Sequence, residues 1–196
     1  FVTILRAATR ADLRVGYSRA VTSPRVLDLG AGGAPWAIAI LKACPGGTAV
    51  VNDLPGVIEV AAAKAAEHGV ADRIEFRPGD FHSIPLEQES FDYVVLGHVC
   101  RTEGEDGARH LIARAFDALE PEGRLLLSDY FPDNTRTYNP FGVLMGVTMM
   151  AATERGFTFT HEQFVGWMRD AGFEAIRLIE PIGFQQVYVA TKPRRA

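Results

Sequence analysis

The chain has 196 residues, of which 47% are hydrophobic and 22% are charged, values that are typical of one globular domain and exclude a disordered chain. Its net charge of −4 gives no general attraction to nucleic acid or to an anionic membrane, and no apolar run approaches the ~20 residues of a membrane span. Two cysteines, Cys44 and Cys100, predict neither a disulfide framework nor a metal site. With no visible signal peptide, a cytoplasmic protein is expected.

Strands and helices alternate along most of the chain. Residues 1–20 have helical periodicity and start at Phe1 without a methionine, so we expect residues 1–22 to end a missing upstream region or to form a linking helix. The segment 121–123 predicts a turn. Strands are predicted at residues 26–29, 48–52, 73–77, 91–96 and 124–129, and helices at residues 36–43, 57–66 and 105–119.

The last third of the chain continues this pattern. Its predicted elements are a polar loop at residues 132–140, a Met-rich helix at 141–152, a helix from Thr160 to Gly172, and strands at 174–180 and 185–191. Thr160 and Gln163 have the spacing of a capping box. The alternation predicts an α/β fold in which a mostly parallel sheet has helices on both faces, with no domain boundary inside residues 1–196.

A glycine-rich turn follows Asp28 in the first strand and opens the first helix. Gly30 and Gly32 allow a tight turn and a close approach of ligand to backbone, and Pro35 fits the first turn of a helix. Asp53 lies 23 residues after Gly30, at the end of the next strand, where an acid accepts hydrogen bonds from ribose hydroxyls. Pro35 occupies the third glycine position of the dinucleotide fingerprint, which argues against NAD and FAD.

Two further strand ends carry residues that suit an adenosine-like ligand. After the third strand, the Asp80 carboxylate can accept a hydrogen bond from an exocyclic amino group, and the Phe81 ring can lie against a purine. After the fourth strand, the backbone carbonyls of Gly97 and His98 can hold an ammonium group. Ligands of open α/β sheets bind at the carboxyl ends of strands. Acids at the ends of the first three strands favour a cationic ligand over a pyrophosphate.

Together with the segments 119–124 and Ser128–Asp129, these residues resemble those of the class I S-adenosylmethionine-dependent methyltransferases. More narrowly, they are similar to the catalytic domain of the plant-type small-molecule O-methyltransferases, a family with bacterial members in natural-product biosynthesis. The resemblance implies a Rossmann-like seven-stranded methyltransferase sheet whose last strand is antiparallel. Because family members usually carry an N-terminal dimerisation domain, the full-length protein is expected to be a homodimer.

The resemblance also implies the cofactor, S-adenosylmethionine, with S-adenosylhomocysteine as its product. Gly30 and Gly32 are expected beside the methionine part of the cofactor, and Asp53 is expected to take the ribose diol. Asp80 and Phe81 are expected to hold the adenine. The other expected cofactor contacts are Asp28, Leu54, Gly79, Gly97 and His98.

The family's His-Asp-Trp run, whose His is the general base, falls here on Arg101, Thr102 and Glu103. A guanidinium stays protonated near pH 7, so Arg101 cannot be that base. Three alternatives remain open: Arg101 stabilises an anionic acceptor such as a phenolate or carboxylate, His98 or Glu103 is the base, or alignment and desolvation suffice. Alternatively, Arg101 is a surface residue paired with Glu103 or Glu105.

The acceptor pocket is predicted to include Tyr130 and, on the Met-rich helix, Phe141, Met145 and Met149. The predicted reaction is methyl transfer from S-adenosylmethionine to a hydroxyl of a small aromatic or polyketide-like metabolite. C- or N-methylation of a small molecule is one alternative, and a divergent cofactor-binding protein without turnover is another. The acidic net charge disfavours nucleic-acid methylation.

Overall fold

The computed structural model describes residues 22–182 and 185–194. Seven strands form one sheet in this part of the chain: β1 (Arg25–Leu29), β2 (Thr48–Asp53), β3 (Ile74–Pro78), β4 (Phe91–Gly97), β5 (Leu119–Asp129), β6 (Glu174–Ile182) and β7 (Gln185–Thr191). The α-helices in it are α1 (Pro35–Ala43), α2 (Pro55–Glu67), α3 (Gly104–Ala118), α4 (Pro140–Ala152) and α5 (His161–Asp170), and none of them is long and apolar enough to cross a membrane. The helix predicted for residues 1–20 lies outside the described residues.

The strand order is β3-β2-β1-β4-β5-β7-β6. The first five strands pair in parallel, whereas β7 runs antiparallel to both β5 and β6. The predicted methyltransferase sheet with an antiparallel last strand is therefore confirmed. Because the order runs from β1 to β2 and β3 on one side and to β4 and β5 on the other, the carboxyl ends of β1 and β4 flank the switch point at which such sheets bind ligands.

Helices cover both faces of the sheet, as predicted. Successive residues of β1 point to opposite faces, so Val26 packs under α1 and α2, whereas Leu27 and Leu29 pack under α3 and α5. The core between the sheet and helices α1 and α2 includes Trp36, Ile40, Leu41, Ile58 and Ala61. The core between the sheet and helices α3 and α5 includes Leu111, Ile112, Phe164 and Trp167. Because side chains are buried on both faces of the sheet, the strand ends keep fixed positions relative to one another.

The segment 121–123, predicted as a turn, lies within β5 and bulges out of its ladder with β4. Phe91 pairs with Leu119 and Tyr93 with Arg124, so four residues of β5 face one residue of β4. Backbone groups of the bulge bond instead to the residue that follows β7. The residues predicted as a turn thus belong to a longer strand, and hydrogen bonds to Lys192, just after β7, hold their bulge in place.

The helix α5 begins with the predicted capping box. Thr160 Oγ1 accepts a hydrogen bond from Gln163 N at 3.4 Å, and Thr160 N donates to Gln163 Oε1 at 3.0 Å. We expect Thr160→Ala to lower the free energy of unfolding by about 1 kcal/mol, because an N–H group in the first turn of α5 loses its partner. Urea denaturation measures this change. The control is Thr148→Ala on the exposed face of α4, and an equal loss in both variants would contradict the capping role.

Candidate functional site

The glycine loop, residues 30–34, joins β1 to α1 and presents main chain to open space. Gly30 and Gly32 have φ of 63° and 57°, in the left-handed region that glycine adopts at little cost. A Cβ on Gly30 would lie 2.7 Å from Val99 Cγ2 and 3.5 Å from Phe81 Cδ1. A Cβ on Gly32 would meet no atom within 4 Å. The loop therefore packs tightly at Gly30 and is accessible to a ligand at Gly32.

Asp53 at the end of β2 holds the glycine loop. Its Oδ2 accepts a hydrogen bond from Gly32 N at 2.7 Å, and its Oδ1 accepts one from Leu54 N at 2.7 Å. Each carboxylate oxygen keeps a second lone pair, so Asp53 can also accept from the hydroxyls of a ligand. Leu54 is 56% exposed beside it and adds apolar surface. The structure thus brings Gly32, Asp53 and Leu54 together.

Asn52 ties the end of β2 to the end of β3 and was missed by the sequence analysis. Its buried amide donates from Nδ2 to Arg77 O at 2.8 Å and to Gly79 O at 3.0 Å. Asp80, the next residue, is exposed, and its Oδ1 accepts a hydrogen bond from His82 N at 2.8 Å. An amide one residue before a strand-end acid is the only sequence signal for Asn52, and that signal does not reveal its partners.

Asp28 is fully buried beneath the glycine loop. Its Oδ2 accepts a hydrogen bond from Ala37 N in the first turn of α1 at 3.1 Å, and its Oδ1 has no hydrogen-bond partner among the described residues. Its pKa is raised to about 7, mainly by burial, while the hydrogen bond from Ala37 N lowers the pKa and the nearby charge of Asp53 raises it. Of the three predicted acids, Asp53 therefore contacts the loop, Asp80 is exposed, and Asp28 lies beneath the loop.

Close packing explains two of the predicted site glycines, Gly79 and Gly97. A Cβ on Gly79, whose φ is 147°, would lie 2.8 Å from Ile84 Cγ2. A Cβ on Gly97 would lie 2.5 Å from Trp36 Nε1 on α1. These positions require glycine whether or not a ligand also contacts their backbone.

His98 follows Gly97 and packs among polar and aromatic groups at the end of β4. Its N donates to Ser128 O at 2.8 Å, and its ring centroid lies 4.9 Å from that of Tyr130. Its Nδ1 is 3.9 Å from Asp129 Oδ1. Burial and the positive charge of Arg101 lower its pKa to about 4. His98 is therefore neutral at pH 7 and a weak base.

Arg101 lies on the 3₁₀ turn after β4 and pairs with a buried carboxylate of β5. Its N donates to Asp129 Oδ2 at 3.2 Å, and its Nη1 donates to Asp129 Oδ1 at 3.3 Å. The guanidinium Cζ is 5.4 Å from the ring centroid of Tyr130, within the range of a cation–π contact. The partner of Arg101 is thus Asp129 and not Glu103 or Glu105.

Glu103 forms its hydrogen bonds with other residues than Arg101 does. Its Oε2 is 2.8 Å from His82 Nε2, and its Oε1 accepts a hydrogen bond from Thr102 Oγ1 at 2.7 Å. Glu103 and His82 line a cleft of about 630 Å³ between the loop after β3 and the start of α3. Of the three predicted catalytic residues, the structure groups His98 with Arg101 and directs Glu103 into this cleft. No three His, Cys, Asp or Glu side chains in the described ranges are placed to bind a metal ion.

Two of the predicted acceptor residues, Tyr130 and Phe141, form an aromatic wall beside Arg101. The rings of Tyr130 and Phe141 meet edge to face, with centroids 5.0 Å apart. Met145 and Met149 are half-buried, four residues apart on α4, and so share one side of that helix. Large apolar side chains are exposed on the same helix at Leu144, Val147 and Met150. Tyr130 therefore connects the wall to the Arg101 side chain.

Known proteins share both the sequence pattern and the fold. The sequence profile of the O-methyltransferase domain family matches residues 17–174. The 3-hydroxy-5-methyl-1-naphthoate 3-O-methyltransferase of Streptomyces sahachiroi is 29% identical over 155 residues, which cover 79% of this chain and 44% of that protein. The L-tyrosine C(3)-methyltransferase of Streptomyces lavendulae is 29% identical over 176 residues, 86% of this chain and 47% of that protein. The chain spans about half the length of the curated relatives that it matches.

Among solved structures, an O-methyltransferase family 2 protein of Planctomyces limnophilus, in complex with apigenin, superposes with a TM-score of 0.82 at 25% identity. The superposition covers 95% of this chain and 56% of that one. The strand order and the profile match over most of the chain agree. This chain belongs to the O-methyltransferase domain family of S-adenosylmethionine-dependent methyltransferases.

Proposed function

We propose that this chain binds S-adenosylmethionine at the glycine loop and transfers its methyl group to a hydroxyl of a small aromatic or polyketide-like metabolite. One observation carries most of the support: the Asp53 carboxylate lies 2.7 Å from Gly32 N, while Gly32 faces open space. A carboxylate beside an open glycine backbone suits the ribose and amino-acid portions of an adenosyl ligand. S-adenosylhomocysteine is then the product that leaves the site.

The residues at the strand ends fit this cofactor. Those proposed to hold it are Gly30 and Gly32 at its methionine part, Asp53 at the ribose, Asp80 and Phe81 at the adenine, and Leu54, Gly79, Gly97 and His98 at its borders. The ionised form of Asp28 beneath the loop favours a positively charged ligand. When bound, the cofactor supplies an electrophilic methyl group on a positively charged sulfur. The chain itself orients the ligand and shields it from water.

The proposed acceptor site contains no strong base. Arg101 stays protonated, and the lowered pKa of His98, about 4, makes its ring a weak proton acceptor. Glu103 is bonded to His82 and Thr102. The main contribution of the acceptor site to the reaction is therefore to align the acceptor against the aromatic wall of Tyr130 and Phe141. Acceptors whose hydroxyl ionises near neutral pH are favoured.

A labelling experiment tests methyl transfer directly. The chain is incubated with trideuteromethyl-labelled S-adenosylmethionine and a panel of small aromatic alcohols and acids. The masses of the products are then measured by mass spectrometry. Addition of one trideuteromethyl group to oxygen supports the proposal and removes the alternative of a binding protein without turnover. Retention of all label in the cofactor across the panel counts against it.

We expect Asp53→Ala to weaken the binding of S-adenosylhomocysteine by about 100-fold or more. The variant loses the carboxylate that accepts from the ribose, and charge-assisted hydrogen bonds are each worth about 1.5–3 kcal/mol. It also releases Gly32 N, so the glycine loop loses its anchor. Isothermal titration calorimetry measures the dissociation constant.

Asp92→Ala is the matched control for Asp53→Ala. Asp92 also accepts a hydrogen bond from a backbone N–H, that of Arg25 at 2.8 Å. It lies at the amino end of β4, however, whereas Asp53 lies at the carboxyl end of β2. Its loss is expected to leave the affinity for S-adenosylhomocysteine within about twofold, because no ligand contact changes. Unchanged affinity in Asp53→Ala would show that this carboxylate does not bind the ligand.

C-methylation is a second candidate, and the similarity to an L-tyrosine C(3)-methyltransferase favours it. A carbon nucleophile of an activated ring can attack the methyl group before any proton leaves, and the ring C–H proton is then lost to water, so the attack itself needs no base at the position of Arg101. Nuclear magnetic resonance of the deuterated product distinguishes the two outcomes, because the label is bonded either to oxygen or to ring carbon. N-methylation is read from the same spectrum.

For the whole protein we propose a homodimer in the cytoplasm, in which this chain forms one catalytic domain. The exposed apolar side chains of α4, Leu144, Val147 and Met150, support an interface on this helix. Analytical ultracentrifugation of the full-length protein tests the dimer. A single species with the mass of a monomer would argue against it.

A further inference from the structure

We propose that Arg101 makes the acceptor site selective for aromatic molecules that carry an oxyanion, which the guanidinium binds beside Tyr130. This inference rests on the proposed methyl transfer, because it names the acceptor class of the same site. A phenolate and a carboxylate both present an oxygen anion of the kind that guanidinium groups bind. A ligand with a carboxylate and a ligand with a phenolate distinguish these sources.

The backbone of Arg101 is anchored on two sides. Its N donates to Asp129 Oδ2 on β5 at 3.2 Å, and its carbonyl accepts a hydrogen bond from Phe157 N at 2.9 Å. A Cβ on Gly156 would lie 2.7 Å from Arg101 O, so the segment after α4 approaches this carbonyl closely. The backbone from which the Arg101 side chain projects is therefore held in place before any ligand arrives, which lowers the entropy lost on binding.

The guanidinium retains donors for a ligand. It has five N–H groups, and its hydrogen bond to Asp129 Oδ1, which uses one of them, is long at 3.3 Å. The same carboxylate also accepts from Tyr130 N at 2.9 Å and from Arg101 N, so backbone groups share in stabilising its charge. Arg101 Nε is itself buried, so the donors for a ligand are the N–H groups of the two terminal nitrogens that Asp129 does not use. An acceptor oxygen can therefore bind without breaking the Asp129 contacts.

The surroundings suit a flat aromatic anion. The Arg101 side chain is 19% exposed, so a ligand can reach it while bulk water screens it only in part. The neighbouring His98 is neutral at pH 7, so Arg101 provides the positive charge beside Tyr130. The rings of Tyr130 and Phe141 offer apolar surface next to that charge. A charged oxygen on an aromatic ring satisfies both features at once.

The test compares naphthalene ligands that differ in charge. Naphthoate, naphthamide and a nitronaphthol, which is acidic but has no carboxylate, are titrated calorimetrically into the 196-residue chain, with and without S-adenosylhomocysteine. We expect at least one of the two anions to bind wild type about 10- to 100-fold more tightly than the neutral amide. Arg101→Met is expected to remove this preference, and Arg101→Lys to keep part of it.

Arg136→Met is the matched control. Arg136 lies over another aromatic ring, that of Phe157 at 5.0 Å, and donates to a backbone carbonyl, but it has no carboxylate partner among the residues that the structure describes. The anion preference should persist in this variant. If Arg101→Met loses the anion preference for naphthoate alone, the oxyanion that Arg101 binds is a carboxylate. If it loses the preference for the nitronaphthol alone, that oxyanion is a phenolate. Equal affinity of wild type for the anions and the amide overturns the proposal without reference to any variant.

Failure of this inference is distinguishable from failure of the proposed function. Arg101→Met should bind S-adenosylhomocysteine as wild type does, because the glycine loop and Asp53 are unchanged. A wild-type chain that binds the cofactor product but does not distinguish naphthoate from naphthamide overturns only the role of Arg101. A wild-type chain that does not bind S-adenosylhomocysteine removes the proposed function itself.

Discussion

Replacing Gly30 by alanine is expected to reduce the affinity for S-adenosylhomocysteine by about 100-fold or more. Gly30 has φ of 63°, and a non-glycine residue in the left-handed region costs about 1–2 kcal/mol. The new Cβ would also lie 2.7 Å from Cγ2 of Val99, a buried residue just after β4 whose side chain has little room to move. The glycine loop must then shift away from Val99, and the position of Gly32 N relative to Asp53 shifts with it.

Gly33→Ala is the control in the same loop. The nearest atom to a Cβ on Gly33 is Lys64 Cγ at 3.9 Å, and its φ lies outside the left-handed region, so no strain is introduced. Calorimetric titration should give Gly33→Ala nearly the affinity of wild type. Equal affinities in Gly30→Ala and wild type would contradict a binding role for the loop geometry.

The free energy of unfolding is expected to decrease as pH rises from about 4 to about 7 because of Asp28. Its folded-state pKa of about 7 exceeds the usual value of 3.8, since the carboxyl is buried and ionises unfavourably. Below pH 4 the group is protonated in both states and has no effect. Between these pH values the unfolded chain releases the proton while the folded chain keeps it, so unfolding becomes easier. The full effect is on the order of 4 kcal/mol, at about 1.4 kcal/mol per pKa unit.

Asp28→Asn isolates this contribution. The amide oxygen can still accept from Ala37 N, but the side chain does not ionise. In urea denaturation, the stability of Asp28→Asn relative to wild type should increase by roughly 2–3 kcal/mol between pH 5 and pH 8. Asp92→Asn serves as the control and should show no comparable increase. A relative stability of Asp28→Asn that is the same at both pH values would show that Asp28 ionises normally in the folded protein.

Most of the fold follows from local signals in the sequence. Hydrophobic runs predict the strands, and Pro35 and Thr160 mark the starts of α1 and α5 close to where the structure has them. Gly30 and Gly32 were predicted to form the turn between β1 and α1, and both adopt the left-handed conformation that only glycine adopts easily. These features depend on neighbouring residues, which a sequence shows directly.

The partners of the candidate catalytic residues could not be predicted in the same way. Arg101 bonds to Asp129, 28 residues away, because β4 and β5 pair with Gly97 opposite Ser128. Asp28 was expected at the ligand surface, but the packing of α1 over β1 buries it. Such contacts follow from strand register and helix packing, which bring together distant residues whose spacing in the sequence carries no signal.

The binding of S-adenosylhomocysteine by wild type, measured by isothermal titration calorimetry beside NADH, tests the central claim most directly. The carboxyl ends of β1, β2 and β3 are proposed to form an adenosyl-cofactor site around Asp53 and the glycine loop. We predict a dissociation constant of about 1–100 μM for S-adenosylhomocysteine and no heat from NADH. Heat from NADH, with none from S-adenosylhomocysteine up to about 1 mM, would contradict the assignment of this site.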